Sequence, residues 1–193
     1  FWSTLGGGEG HAIHIIEALT QFGQVELISD SDFDIESLLE YFGCPQLNVR
    51  KRIVRRMTPE ITADYDIFVN SAFQSEMPSL ARQSFFIISF PSQTPTLAFL
   101  QSYHFLANSK FTLNWAKKLW GQGKFKGDVL YPAVANSMFC LPNNAAPKSR
   151  AILNVGRFTN RGHTKNQKEI ALAFLAPSAR HPELMREWEL VLI

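Results

Sequence analysis

The chain has only two cysteines among its 193 residues, Cys44 and Cys140. They stand too far apart for a metal-binding or dithiol redox spacing, which excludes a disulfide scaffold and makes a reducing compartment the default. Charge of one sign is equally scarce: 19 Lys+Arg face 17 Asp+Glu, a net +2. That balance gives no argument for nucleic acid as the main partner. No apolar run approaches the roughly 18 residues of a membrane span. The longest surrounds Phe85 to Ile88 and is strand-sized. Internal repeats are absent, and no Walker A motif occurs. What is present is an ordinary globular mix, 46% hydrophobic, 12% aromatic and 19% charged, which excludes global disorder.

The ends of the sequence read as cuts. Phe1 is not an initiator Met, and Glu189 to Ile193 is an apolar, strand-like run with no cap or turn after it. Because termini lie at the surface, this predicts a piece of a longer protein.

Along the chain, Gly6 to Gly10 reads as a loop. Ala12, Ile15, Ile16, Leu19 and Phe22 then repeat at helical spacing, with Gly23 as the stop. Val25 to Ile28 reads as a strand, Asp30 to Asp34 as a polar turn, and Ile35 to Phe42 as a helix closed by Gly43. Val49 to Val54 reads as a strand. Tyr65 to Asn70 and Phe85 to Phe90 read as buried strands. His104 to Asn108 reads as another. Ser109 predicts an N-cap for a helix through Trp120, ended by Gly121, and Val129 to Tyr131 a strand ending at Pro132. Alternating strands and helices predict an α/β domain with a mainly parallel sheet. The domain covers 1–141. A Pro- and Asn-rich linker follows at 142–150. A βαβ unit then begins at 151–193, with Ala151 to Val155 and Trp188 to Ile193 as strands and Gln167 to Phe174 as helix.

Two segments suit an anion. Glycine before a helix lets a ligand approach backbone N–H groups. The dinucleotide fingerprint fails, however, because His11 and Ile13 stand where its third glycine would be. A flexible turn is the alternative. Gly156-Arg157-Phe158 follows a strand, and Lys165 comes eight residues after Arg157 at the start of a helix. Ligands of open α/β sheets bind at carboxyl ends of strands, and an Arg fork beside a Lys point charge suits a diphosphate. Two solvated cations are the alternative.

Other clusters favour structural roles. Arg50, Lys51, Arg52, Arg55 and Arg56 have aliphatic rather than aromatic neighbours, so base stacking has no support. A charged edge strand is the leading reading, and an anionic membrane surface the other. Asp30-Ser31-Asp32 and Asp32-Phe33-Asp34 have a divalent-metal spacing that turn chemistry explains equally well. His11, His14 and Glu17 share a helix face, but no third metal ligand is evident. His104 and His163 each border a strand-end loop, and Cys44 and Cys140 read as packing residues.

The ordered set of segments resembles a family. It comprises Gly6-Gly7-Gly8-Glu9-Gly10-His11; Tyr65 to Ser71; Ala107 to Thr112 with Trp120-Gly121; Leu130 to Val134; and Asn154 to Phe158 with His163 to Gln167. Together they are similar to the retaining GT-B glycosyltransferases of family 4, the RfaG-like group (glycosyl transferases group 1). The middle segments stand nearest the dolichol-pyrophosphate mannosyltransferase branch. The resemblance implies an acceptor-side Rossmann-like domain and a donor domain for a nucleotide-diphosphate sugar, with the active site in the cleft. It implies that Gly7 and Gly8 lie near the donor phosphates and acceptor, and His11 near the acceptor. Gly156, Arg157 and Lys165 would hold the donor diphosphate, where stabilising developing charge is a large catalytic effect. It implies no metal, no cofactor besides the donor substrate, and a lipid-linked or polysaccharide acceptor; the charge balance argues against nucleic acid, the two separate cysteines suit a cytoplasmic location, and the basic segment points to a peripheral membrane contact. No catalytic carboxylate pair is assigned. The strand that the family sets before the glycine loop has no counterpart, and its paired donor-binding glutamates would lie beyond Ile193. The alternatives are a non-catalytic GT-B-like binding module or partner subunit and, more remotely, a sugar-nucleotide epimerase.

Overall fold

The computed structural model describes residue 2 and residues 5–72, 75–91, 95–121, 123–134, 149–156, 158 and 165–193. Residues 142–148 of the linker, together with Cys140, Leu141, Arg157 and His163, lie outside the described residues. The chain divides into two compact units, Phe1–Phe139 and Cys140–Ile193. It is a mixed α/β protein in which every described strand pairing is parallel. Among the described residues no helix is long and apolar enough to cross a membrane.

The first unit opens with α1 (Gly7–Leu19), β1 (Val25–Ser29), α2 (Ile35–Tyr41) and β2 (Val49–Ile53). It continues with α3 (Pro59–Thr62), β3 (Ile67–Asn70), β4 (Gln83–Ile88), α4 (Leu97–Ser102), β5 (His104–Ala107), α5 (Lys110–Trp120) and β6 (Lys126–Val129). Its ladders form a two-stranded sheet, β1-β2, and a four-stranded sheet, β3-β4-β5-β6. The single mainly parallel sheet expected for this domain is thus divided into two ladders. A side-chain bridge joins their surroundings: the Tyr65 hydroxyl donates to Glu26 on β1, and Arg52 Nη1 on β2 donates to the Tyr65 hydroxyl at 2.8 Å.

Local chemistry explains the helix boundaries. Asp34 caps α2 by accepting from Ser37 N–H at 3.0 Å, and Ser109 caps α5 by accepting from Thr112 N–H at 3.1 Å. Gly43, at φ +72°, ends α2 in a left-handed turn. The Gly43 and Cys44 N–H groups there donate to the carbonyls of Glu40 and Leu39 at 3.0 and 2.8 Å. The predicted loop at Gly6 to Gly10 is instead the first turn of α1. The Glu9 carboxylate accepts from Gly6 N–H at 3.0 Å, and burial of Ile13 and Ile16 offsets the poor helix propensity of glycine. That helix stops at Leu19, which leaves Phe22 exposed.

Strand edges moved for physical reasons. The predicted strand at Val129 to Tyr131 is observed at Lys126–Val129. Lys126-Gly127-Asp128 has no apolar alternation, yet it forms the edge strand, where charge and glycine are tolerated. Likewise Tyr65 lies outside β3, engaged with Glu26 and Arg52, and the β3 residue Ile67 is exposed. Ser89 and Phe90 lie beyond β4. The short helices α3 and α4 escaped the periodicity because neither exceeds six residues.

The core of the β3–β6 half is aromatic. Phe105 is fully buried, and the rings of Phe86, Phe99, Tyr103, Trp120 and Phe125 surround it at centroid distances of 5.3–6.1 Å. A second cluster joins Ile13 and Ile16 of α1, Leu27 of β1, Leu38 and Leu39 of α2, Phe33 and Cys44. In the second unit, β7 (Ala151–Asn154) pairs in parallel with β8 (Glu189–Leu192), with α6 (Gln167–Arg180) and α7 (Pro182–Met185) between them in sequence.

Candidate functional site

In the second unit, β7 ends at Asn154 and the chain passes through Val155 to Gly156. Gly156 N–H donates to Ile193 O at 2.6 Å, and Gly156 O accepts from the buried Gln167 side chain at 3.0 Å. The main chain is therefore clamped between the end of β8 and the first turn of α6. Lys165 packs directly on Gly156. A Cβ there would lie 2.6 Å from Lys165 Cγ and 2.9 Å from Lys165 Cβ, so only glycine permits this approach. Lys165 is itself exposed, immediately before Asn166, the left-handed residue that leads into α6. Gly156, Lys165 and the N-terminus of a 14-residue helix thus meet at the carboxyl end of a parallel strand. Arg157, assigned to the same role from the sequence, lies outside the described residues. Asn154 was not singled out as a site residue. Its Oδ1 is buried and has no hydrogen-bond partner. Its place at the strand end beside Gly156 was the available signal.

In the first unit, Gly7 and Gly8 lie exposed on the first turn of α1, and a Cβ at either would meet nothing within 4 Å. Gly10 differs. It is buried, and a Cβ there would come 2.9 Å from the Phe42 ring, so α1 sits against the end of α2. Glu9 holds Gly6 N–H, which leaves the Gly7 and Gly8 N–H groups among those at this helix end without an intrahelical acceptor. His11 follows on α1 and is 5% exposed. Burial, and then the neighbouring His14, hold its imidazole below the ordinary value, which keeps it neutral. Its Nε2 is buried without a partner. Among the described residues, the two orphaned buried side-chain polar atoms are His11 Nε2 and Asn154 Oδ1, one in each candidate segment.

Several of the remaining sequence candidates have structural partners. His104 Nε2 lies 2.7 Å from Asp128 Oδ2, a cross-strand pair near the start of β5 rather than at its carboxyl end. Lys51 Nζ donates to Asp32 Oδ1 and to Phe33 O, each at 2.8 Å. Arg52 lies 3.8 Å from Glu26 and 3.7 Å from Asp64. The Lys51 contact and the cap made by Asp34 draw both Asp32 and Asp34 below the ordinary carboxylate range, as expected of a charged turn. No protein-family model, curated protein or solved structure matches this chain.

Proposed function

We propose that the chain carries the acceptor-side domain and the start of the donor-side domain of a retaining glycosyltransferase. It moves a sugar from a nucleotide-diphosphate donor to a lipid-linked or polysaccharide acceptor. The observation that carries this reading is the placement of the two orphaned polar atoms. Buried polar atoms are nearly always satisfied, and leaving one unmade costs about 1–3 kcal/mol. Here one atom lies next to each segment that the sequence offers for an anion, His11 after Gly10 and Asn154 two residues before Gly156.

The donor segment supplies the positive charge. Lys165, with Arg157 next to Gly156 in sequence, neutralises the diphosphate and the negative charge that grows on it as the bond to the sugar breaks. The helix behind Lys165 adds N–H groups of the same sign. Asn154 Oδ1 accepts a hydroxyl or amide hydrogen of the donor. The glycine segment takes the acceptor side, where the bare faces of Gly7 and Gly8 admit close approach and neutral His11 offers Nε2 to an acceptor hydroxyl.

The test is titration of nucleoside diphosphates into the native gene product that contains this sequence, together with assay of labelled sugar transfer. Lys165→Ala weakens diphosphate binding by about 1.5–3 kcal/mol, the range for charged hydrogen bonds. Unchanged affinity overturns the donor assignment. Tight binding with no transfer to any acceptor supports a non-catalytic binding module instead.

A further inference from the structure

The sequence places His14 and Glu17 three apart on α1, and the fold brings a third ligand to them. Cys44 is 30 residues further along than His14, yet one ligand atom from each of His14, Glu17 and Cys44 lies within 4.8 Å of the others. His14 Nδ1 and Glu17 Oε2 are 3.6 Å apart. Zinc bonds of about 2.0–2.3 Å in tetrahedral geometry separate ligand atoms by roughly 3.3–3.6 Å. The His–Glu pair is therefore already at coordination spacing, whereas the Cys44 thiol, which donates to Phe42 O at 3.6 Å, has to leave that bond and move closer. We propose that His14, Glu17 and Cys44 form a binding site for Zn2+ or a similar thiolate-preferring divalent ion, with water in the fourth position.

The surroundings suit such a site. Both ligand-bearing elements are fixed. Gly43 and Cys44 donate their N–H groups to Glu40 and Leu39, so the main chain at Cys44 is set by the turn that ends α2. Gly10 lets α1 lie against Phe42, one turn before His14. Access is graded. Cys44 is 4% exposed, His14 17% and Glu17 45%, so an ion enters past the carboxylate and finishes on the buried sulfur. The donor set selects the metal, because a thiolate beside an imidazole suits zinc and disfavours magnesium or calcium. In the metal-free protein, burial and the Glu17 carboxylate hold the Cys44 thiol above its ordinary value, so it is protonated. Binding therefore exchanges one proton for the ion: the S–H bond breaks, the sulfur lone pair goes to the metal, and the proton leaves to solvent. The product ties α1 to the α2–β2 turn.

This inference is independent of the glycosyltransferase reading and is tested without any activity. The untagged 193-residue chain carrying Cys140→Ser, which leaves Cys44 its single thiol, is titrated with Co2+ and then Zn2+. The expected result is one equivalent of Co2+ bound, a thiolate-to-cobalt charge-transfer band in the near ultraviolet, displacement by Zn2+, and a melting temperature raised by Zn2+. Cys44→Ala abolishes the band. Glu17→Gln, at a half-exposed position that folding tolerates, weakens Co2+ at least tenfold without changing the metal-free melting temperature. The proposal is overturned if wild-type sulfur gives no charge-transfer band, if the band survives Cys44→Ala, or if Glu17→Gln binds as wild type does.

Discussion

Two halves of the first unit are held by different means. Around β4, β5 and α5 the core is a ring cluster, with Phe105 fully buried among five aromatic neighbours. Around β1, β2, α1 and α2 the core is chiefly aliphatic, and it encloses groups with unspent chemistry: neutral His11, the Cys44 thiol, and His14 beside them. Large rings in contact contribute burial and favourable edge-to-face geometry with no polar atom left over. The other half has a helix that begins with glycines and a histidine nitrogen that no protein atom satisfies. The large ring cluster and the unsatisfied polar nitrogen thus lie in different parts of one unit.

The comparison can be broken most forcefully in the aromatic half. Phe105→Ala removes the ring at the centre of the cluster and should cost about 3–5 kcal/mol in chemical denaturation, the range for large core truncations. A loss below about 1 kcal/mol would mean that this half is not the stability core. Next in size is Gly10→Ala, which drives a methyl into the Phe42 ring and should destabilise by about 1–3 kcal/mol, read by the same denaturation curves. A neutral result would show that the ring moves aside freely.

A smaller effect is carried by protons. His11 is held below its ordinary 6.5 by burial first and by His14 second. The unfolded chain therefore binds a proton that the folded chain refuses. Stability should be full above pH 6.5, fall as the pH drops through that value, and level off once the folded-state value is passed. For one proton the slope is at most about 1.4 kcal/mol per pH unit. It should appear in melting curves recorded with a chelator, and His11→Phe should flatten it. An unchanged slope in that variant would assign the proton to another group. Smallest is Gly8→Ala, which fills open space on a helix and should raise stability by up to about 1 kcal/mol. If the glycine serves ligand approach, the same substitution lowers donor or acceptor affinity, so a gain in both would remove Gly8 from the site.

Much of this was legible in the residues. The apolar repeats announced α1, α2, α5 and most strands, and Ser109 announced its cap, because these features depend on neighbours within a turn or a strand. Gly156-Arg157-Phe158 with Lys165 was legible as a candidate anion segment through its Arg–Lys pair, though the sequence offered no reason why a glycine was needed at 156. That reason is a packing distance between residues nine positions apart. Lys126 to Asp128 was illegible as a strand because its pairing with β5 supplies the order that its own side chains do not. Asn154 was passed over because an orphaned atom is defined only by what surrounds it.

By itself the sequence determined the local periods, the capping chemistry, the near-neutral charge and the α/β class, since each follows from short-range backbone preference and side-chain patterning. Tertiary structure alone decided that the ladders divide between β1-β2 and β3–β6, that His11 is buried neutral, that Gly10 must be bare, and that Cys44 comes to His14 and Glu17. Those outcomes depend on which surfaces exclude water together, and that is settled only when segments distant in sequence pack against one another.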